Sequence, residues 1–208
     1  CATISRDILY SPHNKATATQ WVGQPPQQLS IATPDKIALK GYYWPGAAGD
    51  PDIFVVFHGR NWNAEMNANA AQHLVGAGNA VLVASYRGFG DNPGHPSEDG
   101  LMTDAATFIA KARELAGPNA PVWLVGHSIG SSVALHAAAQ DPTVSGVIAM
   151  SVFVRIAAAA PKLSRAFIPD RWNNLEALKS LKVPVLFVQG ALARLVPGGS
   201  AGALFPAY

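Results

Sequence analysis

Short apolar runs alternate with segments of helical periodicity along most of the chain. Runs that are apolar on both faces predict buried strands at 52–57, 80–85, 122–126, 144–150 and 183–189. Between them the spacing predicts helices over 64–76, 97–116 and 128–140, and a split helical region over 155–181. Fully buried strands joined by helix-length segments are typical of a mostly parallel sheet with helices on both faces, which is the α/β fold class.

Two earlier segments, QLSIAT and IALKGYYW, favour an antiparallel start to this sheet. The linker-like stretch WVGQPPQQLS separates an N-terminal tail, residues 1–27, from the rest. A chain of 208 residues with 49% hydrophobic content can bury one sizeable core. We therefore predict one domain over 28–208, with a short lid-like insertion near 152–181.

Charge and cysteine content narrow the classes of function. Charged residues make up 13% of the chain, and the net charge of +2 is scattered, which argues against a nucleic-acid partner or a polybasic membrane patch. No apolar run reaches the roughly 18 residues that a transmembrane helix needs. The one cysteine, Cys1, excludes an internal disulfide and a cysteine-based metal site.

Cys1 also bears on localisation. If it is a processed N-terminus, we expect a lipoprotein of the cell envelope, and otherwise a cytoplasmic protein. The pattern says nothing about oligomeric state. It contains no His, Asp and Glu grouping with metal-ligand spacing and no phosphate-binding glycine loop, so no metal or cofactor is expected.

The stretch LVGHSIGSS carries the candidate chemistry. Gly126, Ser128 and Gly130 form a GxSxG pattern after a buried strand and before an alanine-rich helix. In that setting a sharp turn exposes the serine hydroxyl above the sheet edge, so Ser128 is the candidate nucleophile. The alternative is a glycine-rich turn in which Ser128 only caps the helix.

A serine that attacks a carbonyl also needs donors for the oxyanion. The backbone N–H of Ile129, directly after the candidate nucleophile, is one. The second is expected from the loop after strand 52–57, where Arg60 N–H is the candidate and Asn61 the next. We interpret His58, in the same loop, as a structural residue.

Four stretches together make the sequence similar to the α/β-hydrolase superfamily, and more closely to ABHD/Bem46-like serine hydrolases: RDILYSP, FHGRN, SYRGFGDNPGHPSEDGLMTDA and GHSIGSSVAL. The resemblance continues through NNLEALKSLKVPVLFVQG and covers nearly the whole chain. It implies hydrolysis of a small-molecule ester, thioester or amide by a Ser–His–Asp triad without a cofactor.

The resemblance does not supply the acid or the base. Ala193 occupies the position where the family pattern has an Asp, while Leu195, Val196 and Pro197 keep the register. The family's His would follow one further strand, beyond Tyr208. Of the histidines present, only His95, in the loop DNPGHPSE, lies where it could reach Ser128, because the others have structural, surface or tail positions, and we expect that His95 does not serve as the base either.

Asp170 is the first carboxylate after strand 144–150, and we expect it to be solvated beside Pro169 and Arg171. Asp104 is expected to make a structural hydrogen bond, and Arg87 to pair with Asp91 or Asp104. Three interpretations follow. The first is a serine hydrolase whose given sequence lacks the C-terminal strand and His, so that this chain hydrolyses activated esters very slowly or not at all. The others are a non-catalytic ligand- or partner-binding protein of this fold and a degraded product without a stable fold.

Overall fold

The computed structural model describes residues 2–12, 15, 19–156 and 169–190. Its helices are α1 Ala2–Tyr10, α2 Ala64–Ala71, α3 Glu98–Ala116, α4 Ile129–Gln140 and α5 Asn174–Ser180, with a 3-10 turn at Gln72–Leu74. Its strands are β1 Gln27–Ala32, β2 Ala38–Trp44, β3 Ile53–Phe57, β4 Ala80–Val83, β5 Val122–His127, β6 Gly146–Met150 and β7 Val185–Val188.

The described strands form one sheet in the order β1-β2-β4-β3-β5-β6-β7. β1 pairs antiparallel with β2, and β2 antiparallel with β4. All the pairings from β4 to β7 are parallel. This confirms the predicted mostly parallel sheet with an antiparallel start and the α/β fold class.

Helices cover both faces of the sheet, and two apolar clusters result. The larger includes Phe57, Leu124 and residues of α3 and α4, and the smaller packs α2 against β3, β4 and β5. Since the central strands are buried on both faces, their sequences read as the continuous apolar runs from which they were predicted.

The helix boundaries follow local signals. The hydroxyl of Ser97 accepts a hydrogen bond from Gly100 N–H at 3.1 Å and caps α3 as expected, and Gly117 follows its end. Helix 64–76 was predicted too long, because α2 ends at Ala71 and continues only as a 3-10 turn. Of the region 155–181, α5 is described, whereas 157–168 lies outside the described residues.

The N-terminal tail contains α1, a helix that the pattern did not predict. Its last residue, Tyr10, is fully buried in the larger cluster. The boundary between a tail at 1–27 and a domain from 28 onward remains a prediction, and the tail and the sheet layer share one core.

Candidate active site

Ser128 lies at the carboxyl end of β5, between the last strand residue and the first turn of α4. Its φ of 55° and ψ of −116° put a non-glycine residue in a conformation that L side chains rarely adopt. The side chain makes no capping hydrogen bond to α4 and is half-buried. The alternative in which Ser128 serves as a helix cap is therefore not supported.

Two glycines make this turn sterically feasible. A Cβ on Gly126 would collide with the backbone of Gly130 and Ser131, and a Cβ on Gly130 would collide with the carbonyl of Phe57. The glycines of the GxSxG pattern thus mark two places where backbone passes against backbone. The close approach fixes how the turn sits on β3.

Hydrogen bonds fix the turn at Ser128 to the ends of β5 and β6. Ser128 N–H donates to the carbonyl of Met150 at 2.9 Å. The hydroxyl of Ser131 lies 2.8 Å from the carbonyl oxygen of Gly126 and 2.7 Å from that of Met150. The strained residue is therefore clamped between β5, β6 and the first turn of α4.

The loop after β3 meets this turn from the neighbouring strand. A Cβ on Gly59 would lie 3.0 Å from Nδ1 of His127 and 3.3 Å from Cβ of Ser128. The two loops are thus in contact at one edge of the sheet, where parallel α/β sheets place their ligands. Glycine at position 59 leaves the space between them open.

The two candidate oxyanion donors belong to these two loops. Ile129 is the first residue of α4, so its N–H has no carbonyl one turn back in the helix. Arg60 N–H follows Gly59 in the turn that faces Ser128. Asn61, the next candidate, is excluded because its N–H donates to the carbonyl of Tyr10 at 3.1 Å.

A catalytic serine needs a base, and histidine is the usual one. Among the described residues, no histidine nitrogen is hydrogen-bonded to the Ser128 hydroxyl. His58 is fully buried; His95 is exposed, and so is His73. Burial lowers the pKa of His127 and of His136, so both are neutral at pH 7.

Trp62 is the aromatic residue beside the turn. Its ring centroid lies 5.5 Å from that of His127, at 30° between planes. Trp44 is buried and its Nε1 donates to the carbonyl of Gln24 at 2.9 Å. Trp62 therefore contributes an aromatic ring to this edge of the sheet.

The expectation that Asp170 is solvated is wrong. Asp170 is 3% exposed. Arg6 Nε and Nη2 donate to its carboxylate at 3.0 and 2.9 Å, and the hydroxyl of Tyr10 donates to it at 2.8 Å. The local neighbours Pro169 and Arg171 suggested exposure, but the partners lie at the other end of the chain.

Asp104 makes the structural contact that was expected, and Arg87 pairs with Asp104 and not with Asp91. Arg87 Nε and Nη2 donate to Asp104 at 2.9 and 2.7 Å, and Nη1 donates to Asp35 at 2.7 Å. Asp104 is fully buried. This pair fixes the start of the loop that follows β4.

The remaining expectations fall partly outside the described residues. Ala193, Leu195, Val196, Pro197 and Tyr208 all do, so the place of the family's acid is not described. Among the described residues, no cluster of His, Cys, Asp or Glu side chains has a metal-binding arrangement. No helix in the same part of the chain has the length and apolarity to cross a membrane.

Comparison with known proteins shows the family to which the chain belongs. Residues 51–184 match the family described as "Serine aminopeptidase, S33". Protein bem46 of Schizosaccharomyces pombe is 26% identical over 184 residues, which cover 82% of this chain and 62% of that protein. An uncharacterized protein of Mycobacterium tuberculosis H37Rv is 33% identical over 181 residues, covering 82% and 63%. The chain thus spans less than two thirds of the length of these relatives.

An esterase of Pyrococcus furiosus has the same fold, with a TM-score of 0.75 over 94% of this chain and 82% of that one, at 16% identity. That likeness concerns the fold alone. The family match covers more than half of the sequence and confirms the resemblance expected from its motifs. The chain therefore belongs to the serine aminopeptidase S33 family of α/β-hydrolases and is Bem46-like.

Proposed function

We propose that this protein is a serine hydrolase that acts on a small ester, thioester or amide, with Ser128 as the nucleophile. The observation that carries the proposal is the backbone of Ser128, a non-glycine residue with a φ of 55° at the end of a parallel strand. Such conformations cost about 1–3 kcal/mol and persist where the surroundings impose them. Here the surroundings present a half-buried hydroxyl that caps nothing.

The chemistry would proceed by attack of the Ser128 oxygen on the carbonyl carbon. The serine proton passes to solvent water or a basic side chain, and the carbonyl oxygen becomes the oxyanion of a tetrahedral intermediate. When that intermediate collapses, the leaving group takes up a proton and departs, and water then hydrolyses the acyl-enzyme that remains. Backbone N–H groups of Ile129 and Arg60 would donate to the oxyanion. Donors of this kind contribute about 10²–10³-fold each to the rate.

Because no described side chain acts as a base for Ser128, we expect a low rate of hydrolysis. None of the described histidines is hydrogen-bonded to Ser128, and Ala193 replaces the acid of the family pattern. An enzyme of this class without its triad partners retains about 10³–10⁴-fold acceleration over water from the oxyanion donors and substrate binding. We therefore expect the 208-residue chain to hydrolyse activated esters slowly and through Ser128.

A fluorophosphonate probe tests this directly, because it phosphonylates nucleophilic serines, and a long incubation followed by mass spectrometry of the intact protein detects even a slow adduct. We expect one adduct on the native protein and none on Ser128→Ala. Ser151→Ala is the matched control, since Ser151 is a half-buried serine with a φ of 53° directly after β6. It should label like the native protein.

Two results would overturn the proposal. Equal labelling of Ser128→Ala and the native protein would place the reactive group elsewhere. No labelling of a native protein that unfolds cooperatively would favour a ligand-binding role for the same edge of the sheet.

A further inference from the structure

The segment that ends α1 lies along the Gly59–Asn61 turn and is tied to it by its carbonyls. Arg60 Nη2 donates to the carbonyl of Ile8 at 3.0 Å, and Asn61 N–H donates to that of Tyr10 at 3.1 Å. A third bond, from Gly90 N–H to Pro12 at 3.1 Å, continues the contact onto the loop after β4. An N-terminal segment therefore supports two loops at the carboxyl edge of the sheet.

The side chain of Tyr10 anchors this segment in the core. Its hydroxyl donates to Asp170 at 2.8 Å and accepts from Trp172 Nε1 at 3.0 Å. Arg6 holds the same carboxylate with two nitrogens. Tyr10, Asp170 and Trp172 are each at most 3% exposed, so water does not compete for these bonds.

Both peptide groups that adjoin Arg60 are held, one by His58 and the other by Tyr10. The carbonyl of the Gly59–Arg60 peptide accepts from the His58 ring at 2.8 Å. The N–H of the Arg60–Asn61 peptide donates to the carbonyl of Tyr10, and Asn61 has a φ of 64°. Asparagine tolerates that left-handed conformation better than most residues. The N–H of Arg60 is thereby kept in one orientation.

We propose that Tyr10, anchored on Asp170, is a positioning residue that holds the Gly59–Asn61 turn so that Arg60 N–H faces the carbonyl attacked by Ser128. This inference rests on the proposed function of Ser128. Tyr10 does not touch the reacting atoms. It acts through the hydrogen bond between its carbonyl and Asn61.

A donor held loosely stabilises an oxyanion less than one held in place, because the donor must then be ordered during the reaction. Loss of the Tyr10 anchor should therefore lower kcat and leave KM nearly unchanged, since the oxyanion exists only in the transition state. Tyr10→Phe removes only the hydroxyl. We expect a fall in kcat for p-nitrophenyl acetate of about 10-fold, one decade below the loss of a whole donor.

The experiment compares three variants of the full chain: Tyr10→Phe, Tyr43→Phe and Ser128→Ala. Tyr43 is the matched control, a tyrosine of the same core cluster that lies in β2 and lines a surface cavity together with Pro51. Amide hydrogen exchange supplies a second readout that does not depend on activity. In Tyr10→Phe the Asn61 amide should lose about 10-fold protection, while Tyr43→Phe keeps it.

The outcomes separate the two proposals. If Ser128→Ala retains the native rate, the nucleophile is wrong and the positioning role falls with it. If Ser128→Ala is inactive and Tyr10→Phe matches the native kcat and Asn61 protection, only the positioning role is overturned. Should Tyr10→Phe not fold, Asp170→Leu replaces it, because leucine has a similar size and removes the acceptor of the Tyr10 hydroxyl; an unchanged kcat and unchanged Asn61 protection in that variant would equally contradict the inference.

Discussion

The ring of His58 holds the carbonyl of Gly59, with Nδ1 2.8 Å from the oxygen. A carbonyl can only accept, so Nδ1 carries the hydrogen. Nε2 of the neutral ring then accepts from the hydroxyl of Ser85, 3.2 Å away. The tautomer of His58 is thereby set, and with it the plane of the peptide whose N–H belongs to Arg60.

Burial lowers the pKa of His58 to about 4, against a weaker opposing effect of the Gly59 hydrogen bond. The unfolded chain, with an ordinary histidine pKa near 6.5, binds the proton first as the pH falls. The contribution of neutral His58 to the free energy of unfolding is therefore fully present above about pH 6.5 and is lost as the pH falls from about 6.5 to 4. We expect this residue alone to lower the free energy of unfolding by about 2 kcal/mol from pH 7 to pH 5.

Urea unfolding at pH 7 and pH 5 measures this loss in the native protein and in His58→Gln, whose side chain does not titrate. The difference between the two proteins should shrink by about 2 kcal/mol at pH 5. His95→Gln is the control, because His95 is exposed. An equal pH dependence in all three proteins would show that His58 is not the buried neutral base described above.

The donor role assigned to Arg60 concerns its backbone and not its side chain. Arg60→Pro deletes the N–H, and the preceding Gly59 accommodates the restriction that proline imposes on its neighbour. We expect the Ser128-dependent esterase rate to fall about 100-fold in Arg60→Pro. Arg60→Ala keeps the N–H and loses only the bond to Ile8, so its rate should stay within about threefold of native.

Steady-state kinetics on p-nitrophenyl acetate gives both rates, and circular dichroism confirms that both variants fold. Similar rates for Arg60→Pro and Arg60→Ala would remove Arg60 N–H from the oxyanion site. That result would leave Ile129 as the one donor assigned among the described residues.

Arg87 neutralises a carboxylate that has no access to water. Asp104 is fully buried, and burial raises its pKa against the lowering effect of the Arg87 hydrogen bonds. Arg87→Ala would leave that carboxylate without its cation, which typically costs about 3–5 kcal/mol of unfolding free energy. The loss should be largest at pH 7 and smaller at pH 4, where Asp104 can take up a proton in the variant.

Denaturant titrations at the two pH values test this. The matched comparison is Lys111→Ala, because the Lys111–Glu114 pair is at the surface, with Glu114 68% exposed, and pairs of that kind contribute about 0–1 kcal/mol. A destabilisation by Arg87→Ala as small as that of Lys111→Ala would mean that Asp104 is already protonated in the folded protein.

Much of the fold could be predicted because its information is local. β3, β5 and β6 are buried on both faces, so each leaves a continuous apolar run in the sequence. The turn at Ser128 could be predicted for a similar reason, since the backbone contacts of Gly126 and Gly130 require those glycines at fixed spacing.

The long-range side-chain contacts that support the candidate site could not be predicted in this way. Asp170 pairs with Arg6 and Tyr10, which lie 164 and 160 positions away, and nothing in its local sequence announces a buried carboxylate. Asp35, the second partner of Arg87, was missed for the same reason, at a separation of 52 residues. Pairing over such distances follows from the topology and leaves no period in the sequence.

The packing at Gly130 provides a stability test of the turn that does not depend on activity. A Cβ at this position would meet the backbone of Phe57, the last residue of β3, and of His58 directly after it, and backbone atoms cannot swing away like the end of a side chain. Gly130→Ala should therefore lower the free energy of unfolding by about 3 kcal/mol, the upper part of the range for overpacking, although alanine favours helices. Gly23→Ala is the matched control, because a Cβ there has no atom within 4 Å, and its effect should stay within about 0.5 kcal/mol. Urea unfolding of both variants gives the comparison, and a Gly130→Ala protein as stable as Gly23→Ala would contradict the close approach of α4 to β3 on which the geometry of Ser128 depends.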